Sequence, residues 1–73
     1  MATIEVKSEI TGKVWKIEAA VGQSVVEEDP IIILESMKME IPVLAPGNGK
    51  VKEILVAEGE SVTEGQKVAI LEG

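Results

Sequence analysis

The sequence repeats itself after 37 positions, and this internal repeat restricts the folds that the chain can adopt. Residues 12–35 and 49–72 align without a gap and are identical at 12 of 24 positions. Two copies are too few for a solenoid, which needs at least three repeats. We therefore predict a single domain over residues 1–73, built from two similar halves around a pseudo-two-fold axis.

The repeat is predicted to be extended rather than helical. Val and Ile supply 19 of the 73 residues, and β-branched side chains favour strands. Val14, Ile17 and Val21 also fit one face of a helix, but the second copy has Glu58 in place of Val21, which breaks that face. Strict alternation fails between Val14 and Ile17, and the same spacing recurs 37 residues later. A β-bulge shared by both halves would account for it.

Short apolar segments punctuated by glycines mark the remaining strands. We expect these strands at Ile4–Val6, Ile31–Leu34, Ile41–Leu44 and Lys67–Leu71. Pro42 indicates an edge strand or a strand start, and residues 46–49 form the turn that joins the halves. Many short strands with regular turns predict an all-β barrel or sandwich.

The composition excludes several kinds of function. Without Cys or His, the chain can build neither Ser-His-Asp or Cys-His catalysis nor a Cys/His zinc site. A single aromatic residue offers no stacking platform for single-stranded nucleic acid, and a net charge of −6 has the wrong sign for phosphate. We therefore expect a non-catalytic binding, carrier or interaction module that contacts no nucleic acid.

The N-terminal residues show neither the basic region nor the apolar region of a secretion signal. The longest uninterrupted apolar run, Ile31–Leu34, is far shorter than the ~20 residues that cross a bilayer. These features favour a cytoplasmic protein without membrane contact, which we expect to be a monomer in isolation.

The segment 35–40, with the sequence ESMKME, departs from the rules that the rest of the chain follows. It joins two apolar strands and leaves room only for a hairpin. Two-residue hairpins favour Asn-Gly or Asp-Gly because their tips need a positive φ, yet this tip has no Gly, Asn or Asp. Local rules broken at one place indicate a functional site.

Simpler interpretations of the same residues exist. Lys38 could be an ordinary solvated turn lysine, and Met37 and Met39 could fill gaps in the core. Glu35 and Glu40 could form an acid–base pair, but an exposed hairpin has no cleft to exclude water or shift a pKa. Trp15 aligns with Lys52, a surface position, so we expect the indole to be partly exposed, covering the bulge or contacting a partner.

Met-Lys-Met at a hairpin between two quasi-repeats resembles the biotinyl/lipoyl attachment domain family, and the resemblance covers essentially the whole chain. The likeness is greatest to small biotin/lipoyl attachment proteins and to the biotinyl domain of biotin carboxyl carrier protein. The family fold is a flattened β-barrel, a barrel-sandwich hybrid of two four-stranded antiparallel sheets with a quasi-two-fold axis. The resemblance implies that Lys38 carries covalent biotin, that Met37 and Met39 are read by biotin protein ligase, and that Glu35, Ser36 and Glu40 flank the motif.

The same resemblance implies a carrier that shuttles carboxyl groups between biotin carboxylase and carboxyltransferase subunits of a carboxylase system. Two alternatives remain: a carrier of lipoate, or of either group, and an unmodified hairpin interaction module. The lipoyl branch usually has Asp-Lys-Ala at the tip, so the Met-Lys-Met of residues 37–39 favours biotin.

The sequence departs from the family pattern at two further positions. Ser36 stands where Ala is commoner, a small-for-small change that we expect to be tolerated. Glu28 leads a turn where the family usually has Gly, as Gly65 does in the second half. If that turn needs a positive φ, Glu28 adopts it at an energetic cost.

Overall fold

Eight β-strands make up the regular structure of residues 2–73, the part of the chain that the computed structural model describes. They are β1 (Thr3–Lys7), β2 (Gly12–Ile17), β3 (Ser24–Val25), β4 (Pro30–Ser36), β5 (Met39–Leu44), β6 (Gly49–Ile54), β7 (Ser61–Val62) and β8 (Lys67–Glu72). The helical alternative for residues 14–21 is wrong, since β2 occupies Gly12–Ile17. No helix within residues 2–73 is long and apolar enough to cross a membrane.

The strands form two four-stranded antiparallel sheets, as expected from the family resemblance. One sheet has the order β1-β8-β6-β3 and the other β5-β4-β2-β7. A shift of 37 residues carries β2 onto β6, β3 onto β7 and β4 onto β8, while β1 corresponds to β5. The two sheet orders are therefore the same arrangement repeated, which confirms the pseudo-two-fold organisation. Strand β5, which contains Pro42, lies at a sheet edge as expected.

The predicted bulge is present in both halves. The register of β2 against β4 shifts between Val14 and Lys16, and that of β6 against β8 shifts between Val51 and Glu53. The residue without a register partner is Trp15 in the first half and Lys52, 37 positions later, in the second half. The extra residue shifts the alternation of side chains by one position. Two residues that are three apart, such as Val14 and Ile17, can therefore both pack towards the core.

Small and branched apolar side chains fill one core between the two sheets. Its buried members are all Val, Ile, Leu or Ala: Val6, Val14, Ala19, Val25, Ile31, Ile32, Leu34, Val43, Ala45, Val51, Val56, Val62, Val68, Ala69 and Leu71. Backbone hydrogen bonds also tie the halves together. Val14 donates to the Glu60 carbonyl at 2.8 Å, and its repeat partner Val51 donates to the Gln23 carbonyl at 2.8 Å. The hairpin that carries Lys38 is thus mounted on a scaffold to which both halves contribute.

Glu28 has the left-handed conformation that the sequence comparison suggested. Its φ is 75°, close to the 86° of Gly65 at the equivalent turn. The two amides make equivalent bonds, from Glu28 to the Ala45 carbonyl at 2.8 Å and from Gly65 to the Ser8 carbonyl at 2.7 Å. Because a Cβ makes this conformation unfavourable, Glu28 occupies a strained position.

We expect Glu28→Gly to stabilise the domain. Removing the Cβ relieves about 1–2 kcal/mol of strain in the left-handed conformation. Glycine also raises the conformational entropy of the unfolded chain, which offsets part of this stabilisation and leaves about 0.5–1 kcal/mol. The measurement is the free energy of unfolding in urea. Gly65→Glu is the matched control and should lose about 0.5–1 kcal/mol, because the stiffer unfolded chain offsets part of the strain. A loss of stability in Glu28→Gly would contradict the strain at this turn.

Candidate functional site

The connection between β4 and β5 is a two-residue turn with an unusual backbone. Ser36 pairs with Met39, which leaves Met37 and Lys38 as the two central residues. Their φ angles are 53° and 64°, and two positive φ values in succession are the signature of a type I′ turn. Neither residue is glycine, so the turn stores strain of about 1–2 kcal/mol at each position. Strain of this kind concentrates at functional sites.

The turn exposes two methionine side chains, a residue type that folded domains more often bury. Met37 is 92% exposed and Met39 is 61% exposed, so neither fills a gap in the core. Lys38, between them, is exposed, and no ion pair among residues 2–73 involves it. The arrangement presents one primary amine between two flexible apolar side chains, a surface that a modifying enzyme can recognise by contact.

The base of the hairpin is held by the neighbouring strand. Ser36 is half-buried, and its hydroxyl donates to the Thr11 carbonyl at 3.1 Å. Gly12 opens β2 directly beneath the hairpin, where a Cβ would lie 2.9 Å from the Glu35 carbonyl oxygen and 3.4 Å from the Ser36 Cβ. Only a glycine allows this approach without displacing the hairpin. No motif in the sequence marked Thr11 and Gly12 as supports, although the identity of Gly12 with Gly49 was a signal for the close packing.

The two flanking glutamates face each other across the hairpin. Glu35 pairs directly with Glu40, and both side chains are exposed. Like charges at opposite positions are mildly unfavourable in a β-ladder. The hairpin holds the six residues of the predicted motif, Glu35, Ser36, Met37, Lys38, Met39 and Glu40, with Met37 and Lys38 at its tip.

Trp15 lies on β2 next to this hairpin and is 48% exposed, which confirms the partial exposure expected from its alignment with Lys52. As the extra residue of the bulge, Trp15 has no partner on β4. The indole lines a shallow depression together with Lys13, Val14, Glu35 and Gly59. The sequence marked Trp15 as a surface residue, but only the fold places it beside Glu35.

Comparison with known proteins shows the family of this chain. The family described as "Biotin-requiring enzyme" matches residues 2–71. The biotinylated protein TB7.3 homolog of Mycolicibacterium smegmatis is 46% identical over 41 residues, which are 56% of this chain and 58% of that protein. The biotin/lipoyl attachment protein of Bacillus subtilis is 42% identical over 40 residues, 55% of each chain. The matches span a little over half the length of these curated relatives.

Two solved structures share the fold over nearly the whole chain. The urea carboxylase of Kluyveromyces lactis superposes with a TM-score of 0.93 and 42% identity, covering 99% of this chain and 6% of that one. A single-chain, multi-domain long-chain acyl-CoA carboxylase superposes with a TM-score of 0.85 over 93% of this chain and 7% of that one; at 24% identity it supports the fold alone. By its match over residues 2–71 and its two-sheet fold, the chain belongs to the biotin/lipoyl attachment family.

Proposed function

We propose that the chain is the biotin-carrying domain of a biotin-dependent carboxylase system and that biotin is attached to Lys38. The observation that carries the proposal is the strained two-residue turn, which holds the Lys38 amine in solvent between Met37 and Met39. A short, rigid hairpin presents a single amine to an enzyme at a defined place. Membership of the biotin/lipoyl attachment family supports the same conclusion.

The residues of the turn fit an amide-linked biotin. A biotin protein ligase would supply biotin as an activated acyl donor. The Lys38 ammonium gives up one proton, its Nζ forms a bond to the acyl carbon, and the bond from that carbon to the leaving group breaks. Nζ then loses a second proton, which leaves a neutral amide. Because Lys38 is exposed and in no ion pair among residues 2–73, no interaction there must be broken before acylation.

The domain contributes position rather than catalysis. When bound, biotin supplies a ureido nitrogen that can accept and release a carboxyl group. The Lys38 side chain and the attached biotinyl group form a flexible arm, and the hairpin fixes the point at which this arm begins. The two-sheet scaffold carries the arm between active sites, which raises the effective concentration of the biotinyl group at each site. We therefore propose a biotin protein ligase, a biotin carboxylase and a carboxyltransferase as partners. The likeness to a small part of the urea carboxylase chain supports that setting.

Intact mass spectrometry after co-expression with a biotin protein ligase tests the proposal. We expect one biotinyl adduct per chain. A lipoyl adduct alone, formed with a lipoate ligase, would favour a carrier of the lipoyl type. Absence of any adduct with either ligase would favour an unmodified interaction module.

The two exposed methionines are expected to select the ligase. Burying a methionine side chain in a ligase contributes about 1.5–3 kcal/mol, equivalent to roughly ten- to hundredfold in kcat/KM. Met37→Asp combined with Met39→Ala should lower biotinylation by at least about tenfold and increase modification by a lipoate ligase. The rates are measured by intact mass over time. Met37→Leu with Met39→Leu is the control that retains apolar contact, and unchanged biotinylation of the Asp/Ala variant would show that the methionines are not recognised.

A further inference from the structure

The two bulges of the fold offer an internal comparison. In the second half, the extra residue Lys52 places its Nζ 4.0 Å from Glu72 Oε2, so an ion pair spans β6 and β8. In the first half, Trp15 replaces Lys52 and Glu35 replaces Glu72. Trp15 cannot form this pair, and within residues 2–73 no ion pair involves Glu35. The half that carries the hairpin lysine therefore has an indole and an unpaired carboxylate where the other half has a closed ion pair.

These two side chains border a depression of about 220 Å³ on the sheet that carries the Lys38 hairpin. Its lining residues are Lys13, Val14, Trp15, Glu35 and Gly59. Trp15, 48% exposed, is the aromatic residue of this lining. Lys13 lies opposite Glu35 in the register of β2 against β4 but forms no ion pair with it, so an ammonium donor and a carboxylate acceptor both border the depression. The depression combines one apolar surface with one charged donor and one charged acceptor.

We propose that this depression receives the biotinyl group carried by Lys38, an inference that rests on the proposed function. Biotin has a sulfur-containing apolar ring fused to a ureido ring with two N–H donors and one carbonyl acceptor. The apolar ring packs on Trp15, one ureido N–H donates to Glu35, and Lys13 donates to the adjacent ureido carbonyl. The adjacent donor and acceptor of the ureido ring thus meet residues of complementary chemistry, and the second N–H faces solvent.

The tether is long enough for this contact. Glu35 and Lys13 lie in a row about two residues from the turn, or ~7 Å, and Trp15 lies about two residues further along the sheet. With bonds of about 1.5 Å, the lysine side chain and the acyl chain of biotin together reach about 14 Å from the Lys38 Cα. The arm can therefore pass the row of Lys13 and Glu35 and reach Trp15 without any movement of the backbone, and the fused rings turn back there so that the ureido ring, distal to the acyl chain, faces Glu35 and Lys13.

The docked arm is expected to exchange with a free arm. A short tether holds the group at an effective concentration in the millimolar range, so a weak contact is enough to populate the docked state. The same weakness allows an active site that binds biotin more tightly to withdraw it. The exposed ring would thus be shielded from solvent between visits to partner enzymes.

The single tryptophan of the chain makes the proposal measurable. Acrylamide quenching of Trp15 emission is compared between the unmodified domain and the biotinylated domain, with modification verified by intact mass. We expect biotinylation to lower the Stern–Volmer constant by about twofold, because the tethered ring covers the indole. The matched control is the double variant Trp15→Lys with Lys52→Trp, which carries its indole at the equivalent bulge; its quenching should not change on biotinylation.

Each other outcome has a defined meaning. Identical quenching of the modified and unmodified domain would overturn the proposal, as would an equal decrease in the double variant. Glu35→Gln keeps an acceptor but not the charge, and we expect it to retain about half of the decrease, whereas Glu35→Lys should abolish it. An undiminished decrease in Glu35→Lys would overturn the role of Glu35. Failure to obtain any biotin adduct would instead count against the proposed function.

Discussion

Lys38→Arg should give a folded domain that no biotin protein ligase can modify. Arginine keeps the positive charge and the length of the side chain, but its guanidinium stays protonated and offers no primary amine for acylation. The fold should not change, because Lys38 is exposed at the turn and in no ion pair among residues 2–73. We expect complete loss of the biotinyl adduct by intact mass, with a melting temperature close to that of the unsubstituted domain.

Lys52→Arg is the matched control for this result. Lys52 is the extra residue of the second bulge, belongs to the sheet that does not contain the hairpin and forms an ion pair that arginine can also make. This variant should accept one biotin, as the unsubstituted domain does. If Lys38→Arg still gained a biotinyl group, one of the other lysines would be the attachment site and the role of the hairpin would be disproved.

The repeat explains why so much of the fold could be predicted from the sequence. If it occurred only once, the three-residue spacing between Val14 and Ile17 would fit either a helix or an irregular strand. Its recurrence 37 residues later favours a shared bulge, which the register shifts confirm. The alignment of Glu28 with Gly65 likewise identified a position at which a positive φ was to be expected, and φ is 75° there.

The strand ends near the hairpin were harder to predict. The strands expected at Ile31–Leu34 and Ile41–Leu44 extend to Pro30–Ser36 and Met39–Leu44. The residues added at the strand ends are mostly polar or exposed, so they lack the alternation of apolar and polar residues that identifies a strand from sequence. Backbone pairing across the type I′ turn holds them extended instead. Strands β3 and β7, with two residues each, are too short for any periodic signal.

The sequence predicted the neighbours of Lys38 that are adjacent in the chain, but not those that the fold brings near from other strands. The motif itself was visible as a run of six residues. The contacts of Thr11 with Ser36, of Gly12 with Glu35 and of Trp15 with the same depression as Glu35 depend on how β2 lies against β4. That packing follows from the register of β2 against β4 on the hairpin side of the bulge, and a one-residue change in this register would have turned these side chains to the other face.

Gly12→Val should both destabilise the domain and slow its biotinylation. A Cβ at Gly12 would lie 2.9 Å from the Glu35 carbonyl oxygen, and this backbone atom cannot rotate away as a side chain could. Overpacking of this kind costs about 1–3 kcal/mol. The strain falls at the base of the hairpin, so the turn at Lys38 shifts. Because displacements of about 1 Å can reduce a reaction rate by two orders of magnitude, we expect at least about a tenfold lower kcat/KM for biotin transfer.

Gly49→Val separates the effect on the hairpin from the effect on stability. Its Cβ would lie 2.9 Å from the Glu72 carbonyl oxygen, so the steric conflict is the same but falls on the other sheet. Urea unfolding should show similar losses of about 1–3 kcal/mol for both variants. Under conditions in which both are folded, only Gly12→Val should be a poor substrate for the ligase. Equal losses of biotinylation would mean that general loosening of the domain, rather than the position of the Lys38 turn, limits the reaction, and unchanged stability in both would disprove the close approach of the strands.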